Sequence, residues 1–269
     1  MRTGRNTLSR REFIRNAGAA VAGGAAALAG PSASAQDLRA RHAVSLEDYD
    51  VIIPRVRFEC RRPATGPWNI YPGADRNLLA AFTEAVRCKV QLCDGCRDDQ
   101  PPLGRDRHFN AVVDFESAEP LRQYPFVFMT GENYFDFSDR CRQNLKRYIE
   151  EGGFLLIDDC CLNCTGDILY QRAFRILQEV FGRDAVRRIP INHEVFHNLY
   201  DFPAGLPYIQ GQDHGAHGVF VGDRLAVFLC ATDIHCGWAD RRHRMFGRSQ
   251  AYFDSLKIGM NILLYALSH

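Results

Sequence analysis

Ten cysteines are the residues of this 269-residue chain with the widest chemical scope, and six of them fall into two clusters. The first cluster has the spacing C-x4-C-x2-C, which is the ligand spacing of plant-type two-iron clusters when a distant fourth cysteine follows. The second has the spacing C-C-x2-C. The clusters consist of Cys88, Cys93 and Cys96, and of Cys160, Cys161 and Cys164.

Besides buried free thiols, three chemical states of these cysteines remain open. Two C-x2-C pairs could bind zinc through four tetrahedral thiolates. An iron–sulfur cluster would use the first cluster, with Cys160 or a neighbour as the fourth thiolate. Disulfides are the default for an exported protein. The preferred metal ligands are Cys93, Cys96, Cys161 and Cys164, and the alternative ligands are Cys88, Cys160, His193 and His197.

An acidic pair precedes the second cysteine cluster directly. Asp158 and Asp159 follow the apolar run 154–157, and ligands of open parallel sheets bind beyond the carboxyl ends of the strands. Cys160 could act there as a nucleophile, with His193 as its base and Asp159 orienting the imidazole. Alternatively, the aspartates cap the next helix and the cysteines are buried or oxidised.

Two groups of histidines add further ligand candidates. Residues 193–197 read H-E-x-x-H, which binds zinc when it lies on a helix. Pro190 and Pro203 leave little room for such a helix, so capping or core histidines are the favoured interpretation. The second group flanks a predicted hairpin and could reach the carboxyl edge of the sheet, although glycine-marked turns are the favoured explanation. Its members are Asp213, His214, His217, Asp233, His235, Cys236 and Trp238.

The elements that must position these residues predict an α/β fold. A strand at 126–129, a helix capped by Ser138 and running through Glu151, and a strand at 154–157 form a βαβ unit, which implies a parallel sheet with helices on both faces. A helix from Ile168 to Phe181 and a short strand at 186–189 continue the pattern. A hairpin at 218–221 and 225–229 and a helix at 251–267 complete the chain.

The first half of the chain is less regular. Residues 51–58 predict a first strand with a bulge or an edge position at Pro54. A turn that contains Asp75 can cap a helix from Arg76 to Arg87, and a short strand at 89–93 would carry Cys93 to the carboxyl edge. Residues 96–109 contain two prolines and predict an inserted loop.

Several of these segments together resemble a known family. They include the run from Glu151 to Cys160, the pair His193 and His197, and Cys236-Gly237-Trp238. On the basis of these segments the chain resembles the bacterial domain-of-unknown-function family 4159. The resemblance covers about residue 49 to the C-terminus. The resemblance implies a flavodoxin-like fold of the class I glutamine-amidotransferase-like superfamily, and it implies no established activity. A glutaminase is not supported, because the glycine-flanked cysteine elbow and the distal His-x-Glu pair are missing.

The N-terminal residues predict export. Arg10 and Arg11 precede an Ala- and Gly-rich segment and an A-x-A site, which resembles a twin-arginine signal peptide over residues 1–35 with cleavage after Ala35. We expect a flexible leader at 36–48, a domain at 49–269 and the twin-arginine translocation machinery as a partner. Residues after 35 carry a small net negative charge, because the leading segment holds arginines and one acidic residue. Nucleic-acid binding is therefore disfavoured.

Three functions follow from this pattern. The first is an exported, soluble periplasmic protein that binds a metal, an iron–sulfur cluster or a small ligand at the carboxyl edge of the sheet. The second is a hydrolase or amidase-like enzyme with Cys160 as the nucleophile. The third is a non-catalytic, partner-binding domain whose cysteines form disulfides.

Overall fold

The fold is an α/β arrangement built on a seven-stranded, mostly parallel sheet. We describe it from a computed structural model, which covers residues 46–59, 68–86, 88–90, 112–122, 124–160, 167–239 and 250–269. The predicted signal peptide, most of the leader and the loop at 96–109 lie outside these residues. The strands are β1 (Leu46–Val51), β2 (Arg55–Val56), β3 (Cys88–Val90), β4 (Val112–Val113), β5 (Phe126–Gly131), β6 (Phe154–Asp159), β7 (Val186–Arg188), β8 (His217–Val221) and β9 (Arg224–Cys230). The helices are α1 (Pro72–Val86), α2 (Ala118–Leu121), α3 (Asp139–Glu150), α4 (Ile168–Phe181), α5 (Ile234–Gly237) and α6 (Gln250–Ser268), with 3-10 helices at Arg183–Ala185 and Glu194–Phe196.

The main sheet has the strand order β4-β2-β5-β6-β9-β8-β7. Neighbouring strands from β4 to β9 run parallel, and β8 and β7 are antiparallel to their neighbours. The predicted βαβ unit is confirmed as β5, α3 and β6. The predicted hairpin is confirmed as β8 and β9, which turn at Gly222 with a φ of 62°.

Alternating side chains of the central strands enter two separate cores, as the two-residue period of a strand requires. Phe128, Leu156 and Phe228 pack on one face with α1 and α6. Met129 and Leu229 pack on the other face with α3 and α4. Because both faces are covered, β5 and β6 are buried along their whole length.

The first half of the chain departs from the predicted pattern at two places. The strand expected at 51–58 is divided into β1 and β2 around Pro54, which has no N–H to donate to a neighbouring strand. The carbonyl of Pro54 still accepts the N–H of Phe128 at 2.8 Å. The strand near residue 89 is β3, which pairs in parallel with β1 in a separate two-stranded sheet and not with the main sheet.

Candidate functional site

The carboxyl ends of β5, β6 and β9 lie side by side and define one edge of the sheet. Thr130 pairs with Asp158, and Asp158 pairs in turn with Cys230. The chain continues from β6 into Cys160, and from β9 through a short turn into α5, which carries His235. Residues from distant parts of the chain therefore meet at this edge.

Two cysteines and one histidine form a compact cluster there. Cys160 Sγ lies 3.2 Å from Cys236 Sγ, and these sulfurs and a ring nitrogen of His235 all lie within 4.8 Å of one another. Cys160 and His235 are 0% exposed, and Cys236 is 2% exposed. Among the described residues, this is the group of three Cys, His, Asp or Glu side chains close enough to ligate one metal ion. We call it the Cys160–His235–Cys236 cluster.

The two ring nitrogens of His235 have different surroundings. Nε2 lies 3.3 Å from an oxygen of Asp75 and 2.9 Å from Arg55 Nη2. Nδ1 is buried and makes no hydrogen bond. Burial and the Arg55 charge lower the pKa of His235, so the ring is neutral at physiological pH, which is the form that binds metals.

Arg55 and Asp75 form a buried ion pair behind this imidazole. Arg55 donates from Nε and Nη2 to the two Asp75 oxygens at 2.6 and 2.8 Å. Its Nη1 and Nη2 also donate to the carbonyls of Trp68 and Ile70. Burial alone would raise the pKa of Asp75, but Arg55 and His235 outweigh it and lower the pKa. Sequence reasoning placed Asp75 in a capping turn, whereas it lies in the first turn of α1 and supports His235.

Asp158 and Asp159 cap helices. Asp158 accepts the N–H groups of Ile234 and His235 at 3.3 and 2.8 Å at the start of α5. Asp159 points to the other face and accepts the N–H of Tyr170 in α4 at 2.8 Å. The alternative interpretation of the acidic pair as helix caps therefore describes their contacts.

Burial changes the protonation of this edge. It raises the pKa of Asp159 to about 7, and burial together with Asp233 raises the pKa of Asp158 well above its ordinary value. The contact with Cys236 and burial raise the pKa of Cys160. The same contact lowers the pKa of Cys236, but burial and Asp233 outweigh it and raise the value to about 12. Both thiols are therefore protonated at neutral pH, which disfavours an activated cysteine nucleophile.

Unusual backbone conformations border the cluster. Tyr71 and Asp233 have φ angles of 38° and 56°, and they are the non-glycine residues with positive φ in the described part of the chain. Tyr71 packs against Cys160 and Cys236. Asp233 accepts the N–H of Cys236 at 3.3 Å at the start of α5. Such conformations are costly for most residues and are concentrated at functional sites.

His193 does not lie near Cys160. Its ring lies 5.3 Å from the ring of Tyr265, whose hydroxyl accepts the N–H of Leu225 and whose ring contacts Phe154. Those contacts are at the amino ends of β9 and β6, about 20 Å from Cys160 at the usual rise of a strand. The structure therefore does not assemble the predicted arrangement of Asp159, Cys160 and His193, because His193 sits at the opposite edge of the sheet.

The H-E-x-x-H motif lies on a short 3-10 helix, Glu194–Phe196, rather than on an α-helix. His193 Nδ1 accepts the N–H of Val195. His197 contacts Asp201 through Nδ1 and the carbonyl of Ile191 through Nε2. Local contacts therefore occupy both ring nitrogens of His197 and Nδ1 of His193, in agreement with the favoured capping interpretation.

The histidines around the hairpin divide between two places. His235 and Cys236 reach the carboxyl edge, as the sequence allowed. His214 contacts Asp167, and His217 Nδ1 lies 2.9 Å from the hydroxyl of Tyr170, so both pack against α4. The remaining predicted ligands lie outside the described side chains: Cys88, Cys93, Cys96, Cys161 and Cys164.

These features define a class of protein, an α/β domain with a buried thiol–imidazole cluster at the carboxyl edge of a mostly parallel sheet. Residues 104–267 match the family model described as domain of unknown function (DUF4159), and the chain belongs to this family. The matched range contains the whole Cys160–His235–Cys236 cluster but neither Arg55 nor Asp75. A search of curated proteins finds no match. None of the helices in the described residues is both long and apolar enough to cross a membrane.

Proposed function

We propose that this protein binds a thiophilic metal ion, with Zn²⁺ as the reference ion, through Cys160, His235 and Cys236. The observation that carries the proposal is the bare Nδ1 of His235, which is fully buried, has no hydrogen-bond partner and belongs to a ring within 4.8 Å of two sulfurs. Buried polar atoms without a partner require an explanation, and among the six such side-chain atoms in the described residues Nδ1 is the one whose ring lies beside two sulfurs. A metal ion would supply the missing partner.

The distances suit a metal centre after a small adjustment. Zinc–sulfur bonds of about 2.3 Å in a tetrahedral site hold two sulfurs roughly 3.8 Å apart. The sulfurs of Cys160 and Cys236 are 3.2 Å apart, so they would separate by about half an ångström. Two cysteines and one histidine are also the ligand set of some catalytic zinc sites, which keep a fourth position for water or substrate.

Electrostatics favour a cation at this position. In their ionised forms Asp158 and Asp233 raise the pKa of both thiols, and a bound cation would in turn favour those ionised forms. A divalent ion would lower the pKa of both thiols, since it stabilises the thiolates and releases their protons. Asp75 lies beside Nε2 of His235, as in the carboxylate–histidine–zinc arrangements that orient a ligating imidazole.

The fourth ligand and the superfamily placement belong to the same proposal. Cys161 and Cys164 follow Cys160 closely in the sequence, and either could complete a tetrahedral thiolate-rich site. The predicted iron–sulfur cluster remains an alternative use of these cysteines. A flavodoxin-like, amidotransferase-like fold would place such a ligand site at the carboxyl edge of the sheet.

A thiol enzyme is the second candidate function. Asp75, His235 and Cys160 together resemble an acid–imidazole–thiol triad. The 3.3 Å contact between Asp75 and His235 favours this second function. The complete burial of Cys160 and its raised pKa speak against it. Rapid alkylation of Cys160 at neutral pH in the metal-free, reduced chain would favour this enzyme over the metal site.

Metal analysis of the reduced full-length chain tests the proposal. We expect about one tightly bound Zn²⁺ per chain, and Co²⁺ substitution should give the near-ultraviolet absorption of thiolate ligation. His235→Gln should lower the affinity at least 10-fold, while the matched control His214→Gln should leave it unchanged. Equal affinity in both variants, or no binding to the reduced wild type, would refute the site. If the anaerobically purified protein showed the absorption of an iron–sulfur chromophore, the bound group would be a cluster and not zinc.

We also propose export to the periplasm by the twin-arginine route, because the paired arginines precede an alanine-rich segment and an A-x-A site. This route carries folded proteins, so a metal could be inserted before transport. Replacing Arg10 and Arg11 by lysine should retain the precursor in the cytoplasm. Lysine at Arg2 and Arg5 is the matched control and should leave export intact. Normal secretion of the first variant would refute the assignment.

A further inference from the structure

We propose that Cys160 and Cys236 are also an oxidation site: a small peroxide closes them into a disulfide, and this reaction releases the bound metal. The inference concerns regulation of the metal centre proposed above and rests on that proposed function. It assigns one pair of sulfurs to two mutually exclusive states.

The geometry of the two sulfurs carries the inference. They lie 3.2 Å apart and belong to residues 76 positions apart in the sequence. A disulfide has a sulfur–sulfur bond of about 2.05 Å, so closure requires an approach of roughly 1 Å. Cys160 follows β6 directly and Cys236 lies in α5, so closure would join the sheet to the helix after β9.

The other described cysteines have different partners. Cys230 Sγ lies 3.1 Å from an oxygen of Asp158, and Cys141 Sγ lies 3.0 Å from an oxygen of Glu116. Among the four cysteines whose side chains are described, Cys160 and Cys236 are the two whose sulfur atoms contact each other. This contact makes the pair selective within the described part of the chain.

Hydrogen peroxide is the oxidant class that fits the burial of the pair. One thiol loses its proton and attacks the peroxide as the thiolate, which gives a sulfenic acid and one water, and the second sulfur then displaces the sulfenic oxygen as another water. The sulfurs lose two electrons and two protons, and the peroxide oxygens gain them. Since Cys160 is 0% exposed and Cys236 is 2% exposed, a molecule of this size reaches them more readily than a peptide disulfide does.

Oxidation removes two of the three proposed ligands at once. Two thiolates bound to a divalent ion would react with one peroxide and two protons, giving the disulfide, two waters and the free ion. His235 would remain as a single neutral ligand, which is too few for tight zinc binding. A bound metal should in turn slow disulfide formation, because it holds the two sulfurs about 3.8 Å apart and away from each other's attack.

The test compares metal-free and zinc-loaded full-length protein under limiting hydrogen peroxide. Free thiols are alkylated, the chain is digested without reduction, and cross-linked peptides are identified by mass spectrometry while a chromogenic chelator records released zinc. We expect a Cys160–Cys236 link in the metal-free protein. In the loaded protein the link should form at least 10-fold more slowly, with one zinc released per link, and dithiothreitol should restore binding. Cys141→Ser is the matched control and should behave like the wild type.

The possible failures are distinguishable. Reduced protein that binds zinc but forms no Cys160–Cys236 link would overturn the oxidation site and leave the metal centre standing. Link formation at equal rates with and without zinc, with zinc retained, would overturn the coupling. Reduced protein that binds no zinc would overturn the proposed function and the release step together.

Discussion

The Asp75 carboxylate lies 3.3 Å from Nε2 of His235, and both side chains are completely buried. Arg55 holds the same carboxylate through two hydrogen bonds. Metal binding through Nδ1 requires the tautomer in which Nε2–H faces Asp75. Arg55 Nη2, a donor 2.9 Å from Nε2, would then bond only to Asp75 and the carbonyl of Ile70. A residue of α1 thus orients a residue of α5 that lies far away in the sequence.

Asp75→Asn should weaken zinc binding about 10- to 100-fold, the usual effect of losing a carboxylate that orients a metal-bound histidine. Chelator competition measures the affinity, and the Co²⁺ spectrum should change because the imidazole is no longer held in place. Asp114→Asn removes a carboxylate paired with Arg57 at the protein surface and serves as the control. An unchanged affinity and spectrum in Asp75→Asn would show that the contact with His235 has no role in binding.

Asp158→Ala should destabilise the fold by about 2 to 4 kcal/mol, because two buried N–H groups and the Cys230 thiol lose their acceptor. Urea unfolding measures the loss. Asp139→Ala, at a side chain that is 94% exposed, should change stability by less than about 0.5 kcal/mol. A small effect at both positions would mean that solvent replaces the caps of α5.

Asn261→Ala should cost a similar amount, about 2 to 4 kcal/mol. The buried amide of Asn261 donates to the carbonyls of Val195 and Tyr200 and accepts the N–H of Tyr200. It thereby holds the segment that contains the H-E-x-x-H motif. Ser268→Ala on the same helix loses a hydroxyl that bonds only at the helix end, so chemical denaturation should separate the two variants clearly.

Two neighbouring histidines should give opposite pH dependences of stability. Burial lowers the pKa of His193, so its contribution is present above the unfolded pKa of about 6.5 and is lost as the pH falls. For His197, burial lowers the pKa, but the bonds to Asp201 and Ile191 outweigh it and raise the pKa. Its contribution is present below about 6.5 and is lost as the pH rises.

Unfolding free energies between pH 5 and 8 check this pair. Relative to the wild type, His193→Gln should lose stability mainly at high pH, and His197→Gln should lose it mainly at low pH. Parallel profiles for the two variants would contradict both assignments. His193→Gln should in addition leave zinc binding unchanged, since His193 lies at the opposite edge of the sheet from Cys160.

The sequence predicts the second half of the fold well, because local patterns determine it. The glycines after α3, the cap at Ser138 and the apolar runs of β5 and β6 specify a βαβ unit without knowledge of distant contacts. The run 168–181 is observed as α4. Pro54 marked an irregularity in the first strand, but no local rule specified that the chain would form two separate strands around it.

The candidate site is only half predictable, since its partners are far apart in the chain. Cys160 was recognisable from its place after a buried strand, and His235 and Cys236 from their place after the hairpin. No spacing rule indicates which histidine meets Cys160, and the structure places His235 beside Cys160 and His193 at the opposite edge of the sheet. Arg55 was missed because a lone arginine in a strand carries no signal, although a charged residue inside an apolar run could have raised the question.

The parallel pairing of β6 with β9 has a consequence for the order of folding. Cys160 and Cys236 follow these two strands, and loop closure over so many residues is slow compared with local structure formation. The three proposed ligands come together only once these two strands have paired. An ion that binds them would stabilise only the completed fold, in proportion to the logarithm of its free concentration. Occupancy of the proposed metal site would thus depend on the pairing of β6 with β9.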